Sequence, residues 1–360
     1  MICDKNSVEM IMALSDAFGP SGFEDDVLKL ARKYAEGLGR IEEDHLRNLY
    51  IYRKENKGDR PVLMLDAHSD EVGLMTQAIR PDGTLRFIKV GGWSDNALNG
   101  VSVLVRNTEG DYIPGVIASK SVHFMADPAE RNKPLQISNL FIDIGATSAE
   151  EAVNDFHVGI GEPVVPDVKC RFDEKHGLFF GKAFDCRIGA AALLETMRRL
   201  EGKELPVDMV GVLSSQEELG ERGCKVAVNH VKPDIGYVYE GCPADDTFTE
   251  GYMVQTAMKK GPMLRYMDVS VICSPRYQRH VLKLASEKGI PAQGAVRQGG
   301  GNNAAVINLA GDGVPAVVAG IPSRYAHTAN CITAYEDFEN AVKLAVETVL
   351  SLTPDVIESF

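Results

Sequence analysis

Short, almost wholly apolar runs alternate with helix-like stretches along most of this chain, and few folds accommodate that pattern. PVLMLDA at 61–67, VDMVGVLSS at 207–215, DIGYVYE at 234–240 and VPAVVAGI at 314–321 are nearly continuous in apolar residues. Runs of this kind are typical of strands buried on both faces, as in a parallel sheet. RIGAAALLETMRRL at 187–200, GCKVAVNHV at 223–231, PRYQRHVLKLASEKG at 275–289 and YEDFENAVKLAVETVLSL at 335–352 read as helices between or after them. Strands alternating with helices predict an α/β fold built on a mostly parallel sheet covered on both sides. Residues 6–38 read as two further helices, split by the breaker cluster Phe18-Gly19-Pro20-Ser21-Gly22, and NLYIY at 48–52 as a strand.

From about residue 73 the texture changes. LRFIKV, VSVLVR, YIPGVIAS, NLFIDIG and GEPVVP are short and are separated by turn signals such as PDG and NTEGD. They predict a small all-β, barrel-like module. The simplest organisation is an α/β domain formed by residues 1–72 and 169–360, interrupted by an inserted β domain at 73–168.

Composition narrows the classes of partner. A chain of 360 residues can bury a large core without disulfides. Its formal net charge of −13 repels phosphate backbones, which argues against nucleic acid as a partner. The seven cysteines, Cys3, Cys170, Cys186, Cys224, Cys242, Cys273 and Cys331, are scattered and form no C-x-x-C pair. They fit a reducing compartment better than a disulfide framework or a structural zinc knuckle. The segment MICDKNSVEMIMALSDAF lacks the basic start and long apolar core of a signal peptide. No apolar stretch approaches the ~18 residues of a membrane span. The expectation is a cytoplasmic protein with no membrane partner.

The chemistry-bearing residues fall where the apolar runs stop. His68 and Asp70 follow PVLMLDA, Glu217 and Glu218 follow VDMVGVLSSQ, and Glu240 ends DIGYVY. His327 comes after VPAVVAGIPSRYA, and Asp185 precedes the helix RIGAAALLE. In open α/β sheets ligands gather beyond the carboxyl ends of the strands. Imidazole and carboxylate suit zinc and its first-row neighbours. Two histidines and three carboxylates exceed the needs of one catalytic zinc. They suffice for two ions ~3.5–4 Å apart that share a carboxylate. Of the adjacent pair Glu217-Glu218, one can bind metal while the other moves protons. Taken singly, each residue has a plainer reading. His68 and His327 could be hydrogen-bonded structural histidines and Asp185 a helix N-cap. Glu217 and Glu218 could be first-turn acids, and Glu240 a solvated loop acid.

Read together, DAHSDEVGLM at 66–75, FDCRIGAAALLE at 184–195 and SSQEELGERG at 214–223 resemble the signature blocks of the M42 family of metallo-aminopeptidases. GPSGFEDDV at 19–27, YVYEGCPADD at 237–246, RYAHTAN at 324–330 and the stretch 119–152 match as well, so the resemblance spans essentially the whole chain. It implies a hydrolase that removes N-terminal residues from peptides and carries two divalent ions, zinc or cobalt, per subunit. His68 would bind one ion and His327 the other, Asp185 would bridge, and Glu218 and Glu240 would complete the two spheres. Glu217 would be the general base and Asp70 would orient His68. The family assembles into hollow homo-oligomers, often tetrahedral dodecamers, and its β insertion contributes to assembly and access.

The chain departs from the family pattern at a few positions. Cys186 follows the bridging Asp where Asn or Asp is common, and is read as a neighbour of the metals rather than a ligand. GGNNA at 300–304 replaces GGTDA, so Asn302 and Asn303 bear on specificity or local charge. Glu240 stands where many relatives have Asp. His123, in the insertion, faces either a subunit contact or the site. Two other functions fit the same ligands: a two-metal deacylase of small N-acyl compounds, and a metal-binding assembly protein without turnover. The glycosidase activity also ascribed to the family would need two carboxylates flanking a sugar and no metal.

Overall fold

A computed structural model describes residues 3–127 and 133–360. Residues 128–132, part of the family-like stretch 119–152, lie outside the described residues. The chain divides into two compact units. One comprises Met1–Glu71, Cys170–Ala326 and Cys331–Phe360; the other comprises Val72–Lys169 and the four residues His327–Asn330.

The first unit is built on an eight-stranded sheet. Its centre holds four parallel strands side by side: Asp208–Ser214, Val62–His68, Ile235–Glu240 and Ala316–Gly320. These are the four apolar runs read from the sequence. Side chains alternate between the two faces of such strands. Leu63, Leu65 and Ala67 enter a core formed with Phe184–Arg199, Tyr335–Ser351 and the N-terminal helices Lys5–Asp16 and Asp25–Tyr34. Met64 enters a second core, under Arg222–Val231 and Ala304–Asn308. All four side chains are fully buried, and each large one contributes about 1.5–3 kcal/mol by leaving water.

The sheet departs from parallel at both edges. Leu49–Arg53 and Gly39–Glu43 form a hairpin that joins Asp208–Ser214 antiparallel. Met263–Met267 joins Ala316–Gly320 antiparallel, and Gln293–Val296 lies parallel outside it. The last two strands, MLRYM and QGAV, are short and carry an arginine or a glycine, so no continuous apolar run marks them. A second, four-stranded antiparallel sheet, Arg171–Asp173, Leu178–Gly181, Cys331–Ala334 and Ser323–Arg324, escapes a sequence reading for the same reason of length.

The second unit is a closed barrel of six antiparallel strands: Gly73–Ile79, Leu85–Val90, Phe141–Asp143, Tyr112–Ala118, Ser102–Arg106 and Pro163–Pro166. The pairing of Leu74 with Val164 closes it. Leu85, Val105, Ile117, Ile142 and Val164 fill its interior, and Trp93 packs against them, nearly buried. No helix of the described residues is long and apolar enough to cross a membrane.

Candidate active site

Strand register alone brings three of the candidate segments level. Ser214 is paired with His68, and Val238 with Asp66, so Glu240 stands opposite His68 on the neighbouring strand. Glu217 and Glu218 follow Ser214 at once, in a single helical turn, Glu217–Leu219. Asp185 enters from the start of the helix Phe184–Arg199, in extended conformation with φ −82° and ψ 107°, and its bond to Cys186 is cis. Gly241 permits the approach. A Cβ on it would lie 2.2 Å from the Phe184 carbonyl oxygen and 2.6 Å from Asp185 Cα, so no other residue fits without displacing that backbone. Ala183 and Gln216, just before the two acidic turns, adopt left-handed backbone at φ 56° and 51°. Non-glycine residues in that region carry strain of about 1–3 kcal/mol and cluster at functional sites.

The imidazole of His68 is oriented from behind. Its Nδ1 lies 3.1 Å from the Asp70 carbonyl oxygen and 3.3 Å from Asp70 Oδ1. Its Nε2 therefore faces the acids: Asp185 Oδ1 at 3.1 Å, Glu240 Oε2 at 3.9 Å and Glu217 Oε2 at 4.0 Å. A carboxylate on one ring nitrogen and an acid cluster at the other is how metal-bound imidazoles are commonly held. Donor atoms of His68, Asp185, Cys186 and Glu240 lie within 4.8 Å of one another, as do those of His68, Glu217 and Glu218.

So much acid in little water perturbs Glu217, Glu240, His68 and Asp70. Burial pushes the Glu217 carboxyl well above its ordinary range; His68 opposes, while Glu240 and Glu218 reinforce the rise. Burial likewise raises Glu240, with His68 opposing and Asp185 adding repulsion. Burial works against a charged His68, yet the acidic groups of Cys186, Asp185, Asp70 and Glu217 hold its pKa well above the ordinary value. Asp70 moves the other way: burial opposes ionisation, but His68, Ser21 and the Glu217 peptide N–H outweigh it. Glu240 Oε1 is buried with no hydrogen-bond partner among the described residues. A divalent cation is the group that fits this set. It would satisfy that oxygen, offset the repulsion among the acids and suit a nitrogen–oxygen donor set.

The structure thus brings together His68, Asp70, Asp185, Glu217, Glu218 and Glu240, all in the first unit. His327 does not sit at the end of a central strand. It belongs to the second unit, in left-handed conformation with φ 60°, its Nδ1 2.7 Å from the Gly92 carbonyl oxygen. Cys186 is a buried thiol whose pKa burial pushes well above the ordinary value, and its Sγ donates to the Tyr239 carbonyl oxygen at 3.3 Å.

Asn302 and Asn303 are both fully buried. Asn303 Nδ2 donates to Asp66 Oδ2 and to Ser214 Oγ, each at 2.7 Å, and Asn302 Nδ2 donates to Asp268 Oδ2 at 2.8 Å. The family's usual Asp at 303 would set a second carboxylate against Asp66, which burial already raises to about 6. Asn303 supplies donors instead. Sequence reasoning missed Ser21, Glu24 and the engagement of Asn303, already singled out, with Asp66. Ser21 and Glu24 lie inside the family-like block GPSGFEDDV, so a signal existed, without a role attached.

Comparison with known proteins places the chain in a family. The family model described as M42 glutamyl aminopeptidase matches residues 48–344. The chain is 28% identical to the glutamyl aminopeptidase of Lactococcus lactis subsp. cremoris, over 97% of each chain. A TET aminopeptidase from a marine sediment archaeon of the Thaumarchaeota superposes with a TM-score of 0.93 at 36% identity, covering 98% of this chain and 99% of that one. The TET1 peptidase of Pyrococcus horikoshii, which can assemble into a tetrahedron or a large octahedral shell, superposes with a TM-score of 0.85 at 27% identity, over 96% and 100% of the two chains.

Proposed function

Since this chain belongs to the M42 family of glutamyl aminopeptidases, we infer that it removes N-terminal residues from peptides, with two divalent cations as resident cofactor. The observation that carries this reading is His68 Nε2 turned into three carboxylates while Asp70 holds the opposite ring nitrogen. His68 and His327 would each hold one cation, Asp185 would be shared, and Glu240 and Glu218 would complete the two sets. The cations, zinc or cobalt, would activate a water and polarise the scissile carbonyl.

The residues of the chain do the rest. Glu217, whose Oε2 stands 4.0 Å from His68 Nε2, takes the proton of the attacking water and passes it to the leaving amine. Burial and the neighbouring Glu240 and Glu218 raise its pKa, which makes it a stronger base than an exposed glutamate. Asp70 keeps the His68 ring from rotating. The surrounding acids favour a substrate with a protonated α-amine. An N-acyl compound offers no such charge, so the acid cluster favours the peptidase over the deacylase reading. By likeness to the P. horikoshii relative, the chain forms a closed homo-oligomer, and the inserted barrel serves assembly and access.

The test is an assay of metal-depleted protein reloaded with Zn²⁺ or Co²⁺. Aminoacyl-anilides and short peptides would be run beside their N-acetylated counterparts. Metal-dependent hydrolysis of the free-amine substrates alone is expected. Activity indifferent to chelators, or preference for the acetylated compounds, would end this reading. Light scattering on the same sample reports the assembly.

A further inference from the structure

The block GPSGFEDDV has no part in the chemistry described so far, yet its Glu24 is fully buried. Glu24 occupies the N-cap of the helix Asp25–Tyr34, a position from which a side-chain oxygen can cap the helix's own N–H groups. It makes no such bond. Glu24 Oε1 instead accepts from Gly22 N at 2.8 Å and from Gln216 N at 3.2 Å. The next two peptide groups are held by Asp70: Glu217 N donates to Oδ1 at 2.9 Å and Glu218 N to Oδ2 at 3.2 Å. Ser21 Oγ donates to Asp70 Oδ2 at 2.6 Å, so the same N-terminal turn supports both carboxylates. Two acids therefore grip three consecutive N–H groups of the turn that presents Glu217 and Glu218.

This arrangement is costly by itself. Two buried carboxylates repel, and Glu24 Oε2 has no hydrogen-bond partner among the described residues. Gln216 is also held left-handed at φ 51°. Backbone in that region persists only when its surroundings over-determine it. The side chains of Glu217 and Glu218 leave the backbone in directions set by this turn, and a displacement of about 1 Å is enough to spoil a catalytic geometry.

We propose that Glu24 is a positioning residue: by holding the Gln216 peptide N–H it completes, with Asp70, a clamp that aims Glu217 and Glu218 at His68. The proposal rests on the aminopeptidase reading for its effect on turnover, but not for its effect on the backbone. Glu24→Ala deletes the acceptor; Glu24→Gln keeps an amide oxygen in its place. In Glu24→Ala, hydrogen exchange of the metal-free protein, followed by mass spectrometry, rises about tenfold in peptides covering 215–219 and stays unchanged elsewhere. With metal content full, kcat falls about 10–100-fold while KM moves less than about threefold. Glu24→Gln restores most of both.

Unchanged exchange at 215–219 in Glu24→Ala overturns the proposal. So does equal damage in both variants with exchange raised throughout, which would mark a merely structural acid. If the wild-type protein hydrolyses no peptide, the functional reading fails and the exchange contrast alone decides the role of Glu24. Should Glu24→Ala not fold, Glu24→Met fills the volume without an acceptor and carries the same comparison with Glu24→Gln.

Discussion

Asp70 and Glu71 are consecutive, both buried, and lie in opposite electrostatic settings. Glu71 is matched: Lys182 Nζ approaches its two oxygens at 2.6 and 2.8 Å, Arg187 Nη2 lies at 3.2 Å, and Gly19 N donates at 3.2 Å. Arg187 spends its remaining donors on the carbonyl oxygens of Leu14, Ala17, Gly19 and Ser69. This cluster sets two cations against one carboxylate, so its acid lacks no partner, and it fastens the N-terminal helices to the end of the central strand. On the other side of the same strand end, Asp185, Glu217 and Glu240 face one imidazole. There the acids outnumber the base, and burial with mutual repulsion drives Glu217 and Glu240 upward. The contrast separates two uses of buried charge: one closed and structural, the other left in deficit of positive charge for an incoming cation.

The sharpest way to break this contrast is Glu217→Gln. Turnover should fall by about 10²–10⁴-fold, the usual worth of a general base, while elemental analysis finds the metal retained. Activity within a few-fold of wild type would remove Glu217 from the mechanism. The Glu71 cluster is probed by Lys182→Met, which leaves Glu71 with Arg187 as its one cationic partner. Breaking a buried pair costs about 3–5 kcal/mol, read by urea unfolding of metal-free protein. A variant as stable as wild type would mean the pairing holds nothing together. Chelation should act on the other cluster alone. Removing a cation present at about 100 times its Kd lowers stability by about 2.7 kcal/mol, and the same loss should appear in wild type and in Lys182→Met. Unequal losses would show that the two clusters are coupled. The smallest effect is assigned to Cys186→Ser. Its thiol is engaged with a backbone carbonyl, so stability should change by about 1 kcal/mol and metal content not at all. Loss of one metal equivalent would make Cys186 a ligand.

Much of the fold was legible because its strongest elements carry long, simple patterns. PVLMLDA and VPAVVAGI could hardly be anything but buried strands, and both lie in the parallel centre of the sheet. Five of the six barrel strands were marked by their turns, and Gly73–Ile79 was not among the segments read. MLRYM and QGAV were illegible because they are short and are broken by an arginine or a glycine, and only QGAV lies at the sheet edge. At the site, the places of His68, Glu217, Glu218 and Glu240 at or just past strand ends were visible, since they depend only on where an apolar run stops. His327 stands farther from its run than the others, because a further short strand, Ser323–Arg324, intervenes between the run and the histidine. The clamp of Glu24 on Gln216 was invisible, for nothing local distinguishes it from an ordinary helix cap.

Local pattern, then, determined which segments are strands and helices, which faces they bury, and which acids stand at the ends of the runs, because burial imposes its period on neighbouring residues. Only the tertiary structure decided which of those acids meet. Ser21 reaches Asp70 across 49 positions and Asn303 reaches Asp66 across 237. Such contacts are set by register between strands and by backbone geometry at single points such as Gly241, where a methyl group would already be too large. No periodicity in the chain encodes those distances; they exist only once the sheet has closed its order.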